Sequence, residues 1–218
     1  MELLRKHRMY WSVQTRYENA IAHLDHWGRS LLMGIGIGIE SVDPRALDAW
    51  RKKLRPDAVL DLKERLHACG RYIWGYYMIG NEQADFQSTI DEIETVASYG
   101  LGYVQTTVMT PYPATVLWDE IERKYGIFEK DWERFNTKHL TFHHPRITPG
   151  QMEKLLAYAR ERLNGLPQFS AWLWRIYRSY SLHLNSHAKG LFFISGFHLF
   201  YAFMDIQFAN IHFDLRLK

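Results

Sequence analysis

Cysteine is nearly absent from this 218-residue chain, and its single copy, Cys69, excludes an intramolecular disulfide, a four-cysteine zinc site and any iron–sulfur cluster held by three of the chain's own cysteines. A surplus of one charge is missing too. Lys and Arg number 27 against 24 Asp and Glu, a formal +3, far short of the clustered basic footprint that nucleic-acid binding needs, so no nucleic-acid partner is expected despite a pI near 8.9. No apolar run long enough to span a bilayer occurs: the uncharged stretch Gly190–Met204 has 15 residues where about 20 are required. The opening residues MELLRKHRMYWSVQTRYENA carry charges and no apolar core, which is not a secretory leader, so a cytoplasmic location is the reading. What is present is ordinary for a folded soluble domain, with 47% hydrophobic and 23% charged residues.

From residue 10 to about 110, short β-rich runs alternate with amphipathic helical stretches, the pattern of βα units on a parallel sheet. The β-rich runs are YWSVQT (10–15), LLMGIGIGIES (31–41), RYIWGYYMIG (71–80) and YVQTTVMT (103–110). Helices are predicted between them and after the last. Asp43-Pro44 and Thr148-Pro149 each read as an N-cap followed by a first-turn proline. Met152, Leu155, Leu156 and Ala159 then give the inward stripe of a helix closed by Gly165 and Pro167. Composition shifts near residue 165, because 13 of the 33 aromatic residues fall in the last 53 positions. The fold class is therefore α/β, with about four parallel strands in 1–125, an extension with a terminal helix in 126–165 and an aromatic helical tail in 166–218.

Gly34, Gly36 and Gly38 do not form a dinucleotide fingerprint, since Ile39 stands where glycine or alanine is needed and the glycines lie inside the strand. They read instead as points of close helix or ligand approach over the sheet. Glu40 and Ser41 end that strand, where parallel α/β folds place ligand-binding groups; an acid there is equally a helix-start residue. Gly80, Asn81 and Glu82 end the third strand, and Thr107, Thr110, Tyr112 and Thr115 cluster after the fourth. Three polar strand ends predict a shared pocket. His139 and His143 are four apart, but HLTFHHP reads as extended, so no metal site is assigned. Cys69 reads as a small buried group without chemistry. In the tail, Trp172, Ile176, Tyr180 and His183 follow helical spacing and predict a helix covering the core; a membrane-surface contact through 190–206 or a partner interface are the other readings. The tail histidines His187, His198 and His212 read as packing or interface residues.

The segments GIGIESVDPRALDAWRKKL, GYYMIGNEQAD, VQTTVMTPYPATVLWDEIERKYGIF and KHLTFHHP together resemble the carboxyl half of radical SAM enzymes, most closely the cobalamin-dependent type, over about residues 10–164. The resemblance implies strands three to six of a partial (β/α)₆ TIM-like barrel that binds S-adenosylmethionine and uses a 4Fe–4S cluster for radical chemistry such as methyl transfer or C–H modification. Glu40 and Ser41 match the ribose-side motif. Gly75, Gly80 and Glu82 match the strand-five pattern without its usual proline, and Gln105 matches the strand-six end, with Ala114 where glycine is common. The cluster loop CxxxCxxC, the first two strands and a cobalamin domain have no counterpart in this sequence, so the resemblance implies a separate cluster-bearing amino-terminal half or partner subunit. The alternative is a non-catalytic remnant or an interaction subunit.

Overall fold

The structure is a computed structural model that describes residues 2–7 and 9–184. A short helix α1 (Glu2–Lys6), absent from the sequence reading, precedes β1 (Trp11–Thr15), α2 (Tyr17–Gly28), β2 (Leu32–Glu40), α3 (Pro44–Ala49), α4 (Pro56–Ala68), β3 (Tyr72–Ile79), α5 (Phe86–Ser98), β4 (Val104–Val108) and α6 (Val116–Lys124). A turn of 3₁₀ helix (Trp132–Arg134), α7 (Pro149–Asn164) and α8 (Leu166–Leu184) follow. All strand pairs are parallel and their order is β1-β2-β3-β4, as expected for consecutive βα units. The α/β fold class, with about four parallel strands of partial-barrel character, is therefore observed.

The caps anticipated from sequence are made. Asp43 accepts from the Arg45 amide at 2.9 Å ahead of Pro44, and Arg45 holds the Asp43 carboxyl below its usual range. Thr148 and Gln151 form a capping box at α7, as Asp85 and Ser88 do at α5.

Strand alternation sorts the sheet into two faces. On one, Ile35, Ile37 and Ile39 of β2 with Ile73, Tyr77 and Ile79 of β3 are fully buried against Val59, Leu62 and Leu66 of α4 and Ile93 and Val96 of α5. The same core continues through Ile127 and Phe142, joined by an antiparallel bridge, to Met152, Leu155 and Ala159 of α7. Residues 126–165 thus share one core with the strands. On the other face, Met33 and Tyr72 form a small cluster with Trp172 and Leu173 of α8, next to Trp74 and Tyr103. Trp172, 4% exposed, does cover apolar surface as its spacing predicted; the side chains of Ile176, Tyr180 and His183 lie outside what is described. So do His187, His198, His212 and the run 190–206. No helix among the described residues is long and apolar enough to cross a membrane.

Two expectations are corrected. Cys69 is exposed, because it caps the C-terminus of α4 instead of lying on its apolar stripe. The glycines of β2 accommodate side chains of the sheet itself and not a helix. A Cβ on Gly34 or Gly36 would sit 2.5 Å and 2.4 Å from the Tyr72 and Trp74 rings, far inside van der Waals contact. The two rings lean across β2 from the neighbouring strand.

Candidate functional site

A cavity of about 480 Å³ opens at the carboxyl ends of β1 and β2. That is within the range of about 300–1,000 Å³ of small-molecule sites, and at the end of a parallel sheet where such sites form. Gln14, Thr15 and Arg16 line it from β1, Gly36, Gly38 and Glu40 from β2, Tyr76 from β3, and Arg51, Lys52 and Lys53 from the segment between α3 and α4.

Glu40 forms its floor. Its φ is +65°, and the Ser41 amide donates to the Ile39 carbonyl at 2.8 Å, so the chain closes a γ-turn of the rare positive-φ kind centred on Glu40. For a residue with a Cβ this conformation is strained, and such strain concentrates where a side chain must be aimed. The sheet register slips between Gly38 and Glu40, and the carboxylate folds back over β2. A Cβ on Gly38 would meet Glu40 Oε1 at 2.5 Å, so Gly38 provides the space that this carboxylate occupies. Lys52 Nζ donates to the same oxygen at 2.5 Å. Arg51, also at positive φ (+53°), Arg16 and Lys53 add three exposed cations with no ion pair among the described residues. The cavity therefore presents two carboxylates, Glu40 and Glu18 of α2, among the four cations Arg16, Arg51, Lys52 and Lys53.

The other residues singled out from sequence lie elsewhere. Ser41 is fully buried behind the sheet, its hydroxyl donating to Glu92 Oε2 at 2.6 Å and accepting from the Asp43 amide at 3.0 Å. Gly75 faces the helices, where a Cβ would meet Ile39 and Leu101 within 3 Å. Gly80, at φ +87°, turns the chain under Met152. Glu82 pairs with Lys124 at 2.9 Å, and Gln105 is exposed on the Trp74 side of the sheet. Thr110 donates to the Val108 carbonyl at the end of β4 and Thr115 to the Tyr112 carbonyl of its own loop. Of the six candidates Glu40 lines this cavity, which is displaced toward β1. Sequence reasoning missed Gln14, Arg16, Tyr76 and the Arg51-Lys52-Lys53 run; three consecutive cations just after the helix that follows β2 were the available signal.

His139 and His143 are not helical neighbours, and among the described residues no group of three or more His, Cys, Asp or Glu is placed to hold a metal. His144 has a structural assignment instead. Its Nδ1 accepts from the Arg146 and Ile147 amides (3.2 and 3.1 Å), which leaves Nε2 as the protonated nitrogen donating to the Asn81 carbonyl at 2.9 Å. Burial lowers its pKa, keeping this neutral tautomer.

No family model matches the chain. Over 122 residues, 56% of its length, it is 27% identical to a protein of Pyrococcus horikoshii named as an uncharacterized methyltransferase. The matched stretch is 27% of that protein, so the chain spans little more than a quarter of its relative's length.

Proposed function

We propose that the cavity at the ends of β1 and β2 binds S-adenosylmethionine, and that the chain serves methyl transfer as the carboxyl-terminal part of a radical SAM type enzyme. The observation that carries this reading is Glu40, held in a strained turn on the floor of a ligand-sized cavity with Gly38 cleared beneath its carboxylate. The methyltransferase relative supports the methyl-transfer part of this reading, and the sequence resemblance supports the radical SAM type.

The residues present fit an S-adenosylmethionine molecule: the ligand combines hydroxyls, a sulfonium and an ammonium with one carboxylate, and the cavity offers the carboxylates of Glu40 and Glu18 alongside cations. When bound, S-adenosylmethionine supplies an activated methyl group or, on reductive cleavage, a radical. Glu40 accepts hydrogen bonds from the ligand, Lys52 orients that carboxylate, and Arg16, Arg51 and Lys53 neutralise an anionic end. An iron–sulfur cluster does not fit this chain's own residues. Its one cysteine stands at the amino end of β3, away from the cavity, and no described group of ligands replaces the missing ones. The cluster, and the cobalamin of the family's closest type, therefore belong to a partner half or subunit in this reading.

Calorimetric titration with S-adenosylmethionine tests it, on the chain alone and co-expressed with a cluster-bearing candidate half. Saturable binding weakened about tenfold or more by Glu40→Gln, roughly 1.4 kcal/mol, is expected. Absence of binding in both preparations, with no reductive cleavage under anaerobic reconstitution, overturns it.

A second reading, a non-catalytic interaction subunit, is favoured by the Tyr72 and Trp74 rings lying over Gly34 and Gly36, where a ligand would otherwise reach the backbone. It requires Glu40→Ala and Glu82→Ala to leave the biological role intact.

A further inference from the structure

At the opposite end of the sheet a second cavity, about 150 Å³, lies between α4, the start of β3 and α8, lined by His67, Arg71, Arg175 and Arg178 with Ala68 and Gly70. Four basic side chains meet there and none of the lining residues is acidic. Arg71 is 8% exposed and rigidly held: Nε donates to the Leu32 carbonyl at 3.1 Å and Nη2 to the Gly28 carbonyl at 2.7 Å. Arg175 and Arg178 have no ion pair or hydrogen bond among the described residues, and His67 Nε2 is buried without a partner.

Arginines near a helix C-terminus often serve its free carbonyls. Here that role is filled by backbone amides: Leu66 O accepts from Cys69 and Arg71, and His67 O accepts from Gly70. Converging positive charge in a half-enclosed space is unfavourable unless an anion compensates it. Guanidinium forks match the spacing of phosphoryl oxygens. The volume decides the size of that anion, since about 150 Å³ exceeds the roughly 30 Å³ share of a water several-fold yet falls short of the approximately 300 Å³ at which sites for larger molecules begin.

We propose that this cavity is a phosphoryl-anion site, in which Arg175 and Arg178 grip the oxygens, Arg71 fixes the wall and His67 donates from its buried nitrogen. The site is independent of the S-adenosylmethionine reading. Its ligand is a single phosphoryl group, free or carried on a lipid headgroup; the second source is relevant because the aromatic run Gly190–Met204 follows α8 in the sequence. In the empty cavity burial, with Arg175 and Lys63, pushes the His67 pKa down to about 4. A bound dianion reverses that push.

The test titrates the full chain with inorganic phosphate against sodium chloride at matched ionic strength, following thermal midpoint and His67 ring resonances, and sediments it with vesicles of phosphatidylcholine with and without phosphatidic acid. Saturable stabilisation by phosphate with an upward shift of the His67 titration, reduced at least tenfold in affinity by Arg175→Gln/Arg178→Gln and unchanged by Arg65→Gln, is expected for a free ligand. Phosphatidic-acid-dependent sedimentation lost in the same variant, without binding of free phosphate, assigns the headgroup as the source. Should the double variant fail to fold, Arg178→Gln alone carries the comparison, Arg178 being exposed. Neither form of binding, equal effects of chloride, or binding undiminished in the arginine variants overturns the site.

Discussion

Ser41 and Glu92, 51 residues apart in sequence, are joined by a buried 2.6 Å hydrogen bond behind the strand that ends in Glu40. Glu92 Oε2 also accepts from the Val42 amide at 3.1 Å, so one α5 carboxylate ties down the start of the loop that follows β2. Ser41 thus acts by holding the turn while its neighbour enters the cavity. Removing the acceptor leaves the proton of a buried hydroxyl and the Val42 amide without an acceptor; Glu92→Ala is expected to cost about 1–3 kcal/mol of stability in urea denaturation. Ser41→Ala, which takes the acceptor from the Asp43 amide but leaves Glu92 Oε2 its bond from the Val42 amide, should cost less. Equal stability of Glu92→Ala and wild type would show that the tie does no such holding.

The turn at Glu40 stores strain, and the strain is measurable by comparing two variants that both lack the carboxylate. Glycine at position 40 tolerates φ +65° whereas alanine does not, so Glu40→Gly should be more stable than Glu40→Ala by about 1–2 kcal/mol. If the proposed function holds, both lose S-adenosylmethionine affinity to the same extent. If alanine proves as stable as glycine, residue 40 does not hold this conformation.

Gly36 has no room for a methyl group, its virtual Cβ lying 2.4 Å from the Trp74 ring. Gly36→Ala is expected to destabilise by roughly 1–3 kcal/mol through overpacking. In a double-mutant cycle, Trp74→Leu should recover part of that loss. Strict additivity of the two substitutions would contradict the contact.

Acid should unfold the protein through its histidines. His67, His139 and His144 all have folded pKa values lowered mainly by burial, so the unfolded chain binds more protons below the ordinary value of 6.5. Their stabilising contribution is full above that pH and is lost as pH falls toward 4. Protonation of His144 also abolishes its acceptance from the Arg146 and Ile147 amides. Denaturation midpoints measured from pH 8 to pH 5 should hold level down to about 6.5 and then decline, and the decline should be shallower in His144→Asn. A flat profile through pH 5 refutes the assignment.

Much of the architecture is legible because local chemistry repeats it: the caps at Asp43 and Thr148, the isoleucine-rich β2 and the stripe Met152, Leu155, Leu156, Ala159 all do in space what their spacing says. The site is less so. Neighbouring strand residues point to opposite faces, and that rule alone separates Glu40 from Ser41 and sends Gly75, in phase with Ile73 and Tyr77, toward the helices. What alternation does not contain is the register slip before Glu40 and the arrival of Arg51, Lys52 and Lys53 over the strand ends, which depend on how the α3–α4 segment crosses the sheet. Cys69 is exposed because α4 ends at Ala68, just before the position three residues beyond Leu66 that its apolar stripe would reach next.

The leaning of Tyr72 and Trp74 across Gly34 and Gly36 has a consequence for depth. On most sheets the floor of a groove is set by residues attached to the strand beneath it. Here, beyond the Glu40 floor, the surface over Gly34 and Gly36 belongs to β3, and Trp74 is latched by a 2.8 Å bond from its Nε1 to the Tyr76 hydroxyl, itself a wall of the cavity. Rotation of one indole would bare the backbone of β2, so how far the cavity extends along the sheet is governed by a side-chain torsion and one hydrogen bond.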